Sequence, residues 1–156
     1  MIRPCVAADV EDIVTMVAEL AAYEQAAEQA LMTSEQLHEV LFGAHPKVFG
    51  HLAVDGDGQP AGFALWFLNF STWTGTHGIY LEDLYVRPTA RGNGLGRGLL
   101  QTLATLCIER GYSRLEWSVL DWNSPAIDFY RAAGATPMQE WTGWRLSGDA
   151  LRAMGP

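Results

Sequence analysis

The chain has 156 residues, 49% of them hydrophobic and 18% charged, with ten Lys and Arg against eighteen Asp and Glu. That balance excludes a disordered chain, and the length is that of one domain, 1–156, able to bury a core. The net charge of −8 and pI near 4.8 set up a negative field that disfavours nucleic acid and anionic membranes and favours a cationic small molecule as partner.

Cys5 and Cys107 lie far apart and match no CxxC or zinc spacing, so both are expected as reduced thiols. The opening MIRPCVAADV lacks an apolar signal core, and AGFALWFLNF is about half the ~20 residues of a spanning helix. A cytoplasmic protein is expected.

A short strand at 2–6 leads into a helix over 9–24. There Val10, Ile13, Val14, Val17, Leu20 and Ala21 recur at helical spacing behind an Asp9 cap. SEQLHEVLF is a second helix with Ser34 at its cap. KVFGHLAV and PAGFALWFLNF flank the turn sequence DGDGQ, which predicts an antiparallel hairpin. GIYLEDLYV, 78–86, is a further strand that stops at Arg87-Pro88.

A leucine-rich amphipathic helix then runs from Leu95 to Gly111, with Cys107 on its core face. SRLEWSVL predicts a strand. SPAIDFYRAAG predicts a helix with Ser124 at the cap, Pro125 in first position and Gly134 just past the end. ATPMQEW and GWRLS predict a closing pair of strands, which completes a mixed α/β sheet.

Between the fourth strand and the leucine-rich helix stands RGNGLGRG, with glycine at 92, 94, 96 and 98. Glycine in a helix interior costs roughly 0.5–1 kcal/mol relative to alanine, so the density needs a reason. One reason is a diphosphate cradle: a helix start offers unpaired N–H groups and partial positive charge, with Arg91 and Arg97 as cationic contacts. The other is tight packing of helix on strand. Neither a GxGxxG fingerprint nor a P-loop fits the spacing.

Arg91-x-x-Gly94-x-Gly96 after LEDLYV resembles the acetyl-CoA diphosphate loop of the GNAT superfamily of N-acetyltransferases, and DWNSPAIDFYRAAGA resembles that superfamily's second motif. AAYE, HP at 45–46, IYLEDLYV, RGNGLG, WNSPAIDFY and GWRL extend the likeness, in order, to its diamine and polyamine (spermidine/spermine) branch. The resemblance implies a GNAT-like, mixed and mostly antiparallel sheet with helices on both faces. It implies acetyl-CoA held by the backbone of Leu84, Tyr85 and Val86, by Arg91, Gly92, Asn93, Gly94, Leu95, Gly96 and Arg97, and by Asn123, Ser124, Pro125 and Ala126. It also implies Tyr130 as general acid and Glu82 as the residue activating the amine. Tyr23 and Glu24 would recognise the substrate, joined by Glu82 and by Glu116, Trp117 and Ser118. The branch carries an acid just before GWR, where this chain has Thr142.

The chemistry agrees with those roles. An alkyl ammonium of pKa ~10.4 must lose a proton before it attacks a thioester, and a partly buried carboxylate is suited to take it. On a regular strand only one of Glu82 and Asp83 faces the pocket, unless a bulge intervenes. A tyrosine hydroxyl can return a proton to the departing thiolate, and Tyr130 lies seven residues, about two helical turns, from Asn123. Tyr23 and Trp117 suit cation–π contact with an amine. The four histidines show no ligand pattern, so no metal is expected.

The sequence therefore predicts acetyl transfer from acetyl-CoA to a primary amine of a diamine, polyamine or basic amino acid, by direct attack. The alternatives are a CoA-binding sensor that transfers nothing and an acetyltransferase for protein lysines or N-termini. The aromatic WTGWRL segment would suit a homodimer interface.

Overall fold

The computed structural model describes residues 1–155. They form two compact units, residues 1–118 and the segment from 119 onward, each taken by itself below.

The first unit is built on a five-stranded sheet in the order β1-β2-β3-β4-β5, comprising β1 (Ile2–Pro4), β2 (Phe49–Val54), β3 (Pro60–Ser71), β4 (Thr76–Val86) and β5 (Leu115–Glu116). All neighbours are antiparallel except β4 and β5. Three helices, α1 (Val10–Tyr23), α2 (Ser34–Phe42) and α3 (Leu95–Arg110), flank it. The expected mixed sheet is found, and the expected hairpin closes through Asp55, whose Oδ1 accepts from the Asp57 and Gln59 N–H groups, each at 2.9 Å.

Alternation along the strands divides the two faces. Leu52, Val54, Phe63, Leu65 and Tyr85 pack with Ile13 and Met16 of α1 and with Leu37 and Leu41 of α2 in one buried cluster. On the other face the small residues Ala53 and Ala64 are fully buried, and α3 covers that side with Leu99, Leu103 and Cys107 turned inward. A Cβ added to Gly98 would lie 2.5 Å from Ile2 Cδ1, so this glycine marks where α3 closes on β1.

Several local expectations change. Asp9 does not cap α1. Its carboxylate accepts from both Arg3 Nη groups at 2.7 and 2.8 Å and from the Val6 N–H at 2.8 Å, and an arginine fork outcompetes a helix end for those oxygens. The cap of α2 is Thr33 rather than Ser34. Thr33 Oγ1 accepts from the Gln36 N–H at 3.2 Å while Gln36 Oε1 accepts from the Thr33 N–H at 2.9 Å, a reciprocal capping box. The strand expected over SRLEWSVL shrinks to Leu115–Glu116, paired with Ile79 and Tyr80 just before β4 loses its regular register.

The second unit holds α4 (Ser124–Ala132) and α5 (Gly148–Met154). Asn123 rather than Ser124 is the cap of α4, because its Oδ1 accepts from the Ala126 N–H at 3.4 Å; Pro125 is thereby second, and Gly134 follows the helix in the left-handed region at φ 91°. Residues 135–147 form neither of the two predicted strands. Pro137 has no N–H to give a ladder and Gly143 packs no side chain, so β propensity there goes unused.

Candidate active site

The site begins at a defect in β4. Leu65 pairs with Asp83 but the next residue, Trp66, pairs with Leu81, so Glu82 is an extra residue without a partner on β3. This is a β-bulge, which re-aims side chains and loosens pairing. Because of it, adjacent acids no longer alternate simply. Asp83 shares the face of Leu65 and Tyr85, beneath α1, while Glu82 is exposed.

Asp83 is half-buried, and its carboxyl is pushed up to about 6, first by burial, then by the negative charges of Glu82 and Glu24. Glu24 follows the last residue of α1, and burial raises its carboxyl as well. The fold thus gathers three carboxylates, Glu24, Glu82 and Asp83, with no arginine or lysine paired to any of them among the described residues.

Past Tyr80 no strand among the described residues pairs the far edge of β4, leaving the Leu84, Tyr85 and Val86 main chain beside an unpaired edge. The Tyr85 ring is buried, and its hydroxyl donates to Glu19 Oε2 at 3.1 Å. Glu19 also pairs Arg87 at 3.0 Å, which anchors the end of the strand to α1. The chain then turns through Gly92 at φ 82° and Gly94 at φ 78°, conformations that a side chain would strain, and Gly94 caps α3. A Cβ at Gly92 or Gly94 would meet no heavy atom within 4 Å beyond its own chain neighbours. The turn therefore has open space above it and the free N–H groups of a 16-residue helix behind it, which fits an anionic diphosphate. The two readings of the glycines divide: 92 and 94 shape the turn, and 98 serves packing.

Arg91 does not face that turn alone. Its Nε donates to the Val86 carbonyl at 2.9 Å, and its guanidinium lies 5.4 Å over the Tyr23 ring and 5.9 Å over the Tyr85 ring. Tyr23, Glu24, Glu82, Tyr85 and Arg91 are therefore brought to one region. Glu116 lies elsewhere on the sheet and is already engaged, by Arg114 at 2.6 Å and by the Asn69 amide at 3.1 Å. Ser118 shares a hydrogen bond of 2.9 Å with the Tyr80 hydroxyl. The two-arginine reading of the loop missed the stacking on tyrosine, which no spacing rule announces. In the second unit, Asn123 is buried at the head of α4 and Tyr130 sits near the end of that helix, half-buried, its ring 5.3 Å from that of Phe129.

The glycine turn at a helix start is where the sequence motif placed it, in the left-handed region at Gly92 and Gly94, and the bulge and the unpaired end of β4 lie beside it. Residues 13–135 match the acetyltransferase (GNAT) family. The chain belongs to this family. This GNAT protein is 37% identical to a thialysine N-epsilon-acetyltransferase of Bos taurus, over 99% of this chain and 96% of that one. It is 43% identical to an L-ornithine N5-acetyltransferase of Arabidopsis thaliana over 60% of this chain and 41% of that one. Among solved structures, an integron cassette protein from the mobile metagenome of V. cholerae superposes with a TM-score of 0.81 at 29% identity, covering 99% of this chain and 96% of that one. The GNAT chain is an N-acetyltransferase, and no helix among its described residues is long and apolar enough to cross a membrane.

Proposed function

We propose that this acetyltransferase moves the acetyl group of acetyl-CoA onto the side-chain amine of a small basic substrate, an amino acid or diamine. The observation that carries the reading is the unpaired trio of Glu24, Glu82 and Asp83 at the open edge of β4. A cluster of negative charge without internal cations favours a cationic ligand. Relatives named for thialysine and L-ornithine support the same substrate class.

Acetyl-CoA supplies an acyl group activated as a thioester. The Gly92–Gly94 turn and the first N–H groups of α3 suit its diphosphate, with Arg97 as a cationic contact, and the main chain of Leu84, Tyr85 and Val86 suits its extended arm. Asp83 takes the proton from the substrate ammonium, because a carboxyl near 6 is a stronger base than an ordinary aspartate while still ionised at neutral pH. The family resemblance assigns this role to Glu82; the bulge leaves Glu82 exposed, where it serves to attract the ammonium. Tyr130 Oη holds a proton for the departing sulfur, and Asn123 to Ala126 form the start of the helix that bears Tyr130 near its end.

A mass-spectrometric screen of ornithine, lysine, thialysine, putrescine and spermidine with acetyl-CoA tests the reading, with lysine-containing peptides as the contrasting panel. Acetylated small amines are expected. Product from peptides alone would favour a protein acetyltransferase, and tight CoA binding without any product a sensor. In the same assay Tyr130→Phe is expected to lower turnover about 10²-fold; full activity would remove Tyr130 as the acid. We also infer a homodimer, on the strength of Trp141 and Trp144 at 64% and 95% exposure; sedimentation measures it directly.

A further inference from the structure

One buried polar pair lies outside the proposed chemistry. Trp66 of β3 donates its indole N–H to His51 Nδ1 of β2 at 3.2 Å, and both side chains are buried. Alternation from Ala53 and Ala64 puts them on the α3 face of the sheet, behind the acidic cluster. The Phe49 ring stacks on the indole with centroids 4.7 Å apart, and the Arg110 guanidinium, at the end of α3, lies 5.8 Å over it. Arg110 forms no ion pair among the described residues. Burial first, and the charge of Arg110 second, disfavour a protonated His51, so the imidazole stays an acceptor for the indole.

Trp66 is also where the ladder slips. Leu81 pairs with it and is buried, and Glu82 is the extra residue. Were Leu81 the extra residue instead, Glu82 would pair with Trp66 and turn to the α3 face, while Asp83 kept its pairing with Leu65. That face is not wholly hostile to an acid. A free indole N–H and the Arg110 guanidinium would both receive a carboxylate, and a buried charge so paired loses much of its cost. In the native sheet His51 already takes the indole N–H. We propose that His51 is a positioning residue which, by holding the Trp66 N–H toward β2, closes this second seat for Glu82 and keeps the bulge, and with it the acidic cluster, in place. The inference rests on the functional reading above only for its effect on catalysis.

The test follows the Asp83 carboxyl by NMR titration in the substrate-free protein, with His51→Leu and His51→Phe as two ways of removing the acceptor. The wild-type carboxyl titrates at about 6, with Glu82 the second cause of that position. Both variants should lower it by the shift that Glu82→Gln produces, and should add nothing in the Glu82→Gln background, because the Glu82 charge has already left the cluster. His51→Asn, whose Oδ1 takes the place of Nδ1, should titrate as the wild type. An unmoved Asp83 in a folded variant lacking the acceptor overturns the proposal, since a residue of purely structural value would lower the melting temperature without moving Asp83. A shift that adds in full to that of Glu82→Gln overturns it as well. In amine acetylation His51→Leu should raise KM for the amine up to about 5-fold, as expected for loss of one exposed charge. A moved titration with KM unchanged would remove Glu82 from attracting the ammonium and leave the role of His51 standing.

Discussion

Two aspartates of this chain face opposite fates. Asp9 closes on Arg3 and the Val6 N–H, and the Arg3 hydrogen bonds hold its carboxyl below the usual aspartate range. Asp83 is withdrawn from water beside Glu82 and Glu24, with no cation paired to it, and its carboxyl is pushed up to about 6. The first arrangement lowers the free energy of the fold, and the second raises it. A carboxylate kept in the costly arrangement is the one to suspect of chemistry.

The largest effect should follow from Asp83→Asn. Removing a general base costs about 10²–10⁴ in rate, so kcat on the accepted amine should fall at least 10²-fold. The fold should not weaken, because the amide removes a poorly solvated charge from two like charges. A lowered melting temperature with retained turnover would break the comparison, since Asp83 would then be a structural residue like Asp9.

Asp9→Asn should do the reverse. Loss of the charge from a bidentate pair, with Arg3 still partly solvated, is expected to cost about 1–3 kcal/mol in denaturant unfolding and to leave kcat of the folded protein alone. The pH dependences have opposite signs. The folded pKa of Asp9 is depressed, so its stabilisation is present above the unfolded value of ~3.9 and lost as pH falls below it. The folded pKa of Asp83 is raised, so between ~3.9 and about 6 the native state binds the extra proton and stability falls as pH rises through that window. The Asp9→Asn protein should therefore lose the first slope and Asp83→Asn the second.

Much of this was legible in the sequence because periodicity and punctuation act locally. The spacing of Ile13, Val17 and Leu20, the DGDGQ turn and the glycine after Arg110 each fix an element with little help from elsewhere. Where several groups compete for one hydrogen-bond partner, the sequence was a poorer guide: Asp9 had a helix end within reach but also Arg3, and Ser34 stood beside the better placed Thr33. The strands expected over 135–147 failed because strand formation is settled by a partner edge and not by composition. The site divides in the same way. The glycine turn and the acidic pair stand in the sequence as motifs. Which acid turns inward depends on a one-residue slip between β3 and β4, and the seating of Arg91 depends on Tyr23, 68 residues away; no local pattern encodes either.

The smallest effects sharpen the comparison most. If Asp83 is the base, kcat/KM rises with pH through about 6 in the wild type, as Asp83 loses its proton. Burial is the first cause of that position, Glu82 the second and Glu24 the third. In Glu82→Gln and Glu24→Gln the acid limb should therefore move to lower pH, further in the first than in the second, and in neither as far as an ordinary aspartate, because burial remains. The order of the two shifts checks the geometry of the cluster, and their direction checks its sign. Loss of activity in Glu82→Gln with no movement of the limb would transfer the proton-accepting role to Glu82, and the contrast with Asp9 would then lie one residue earlier on the bulge.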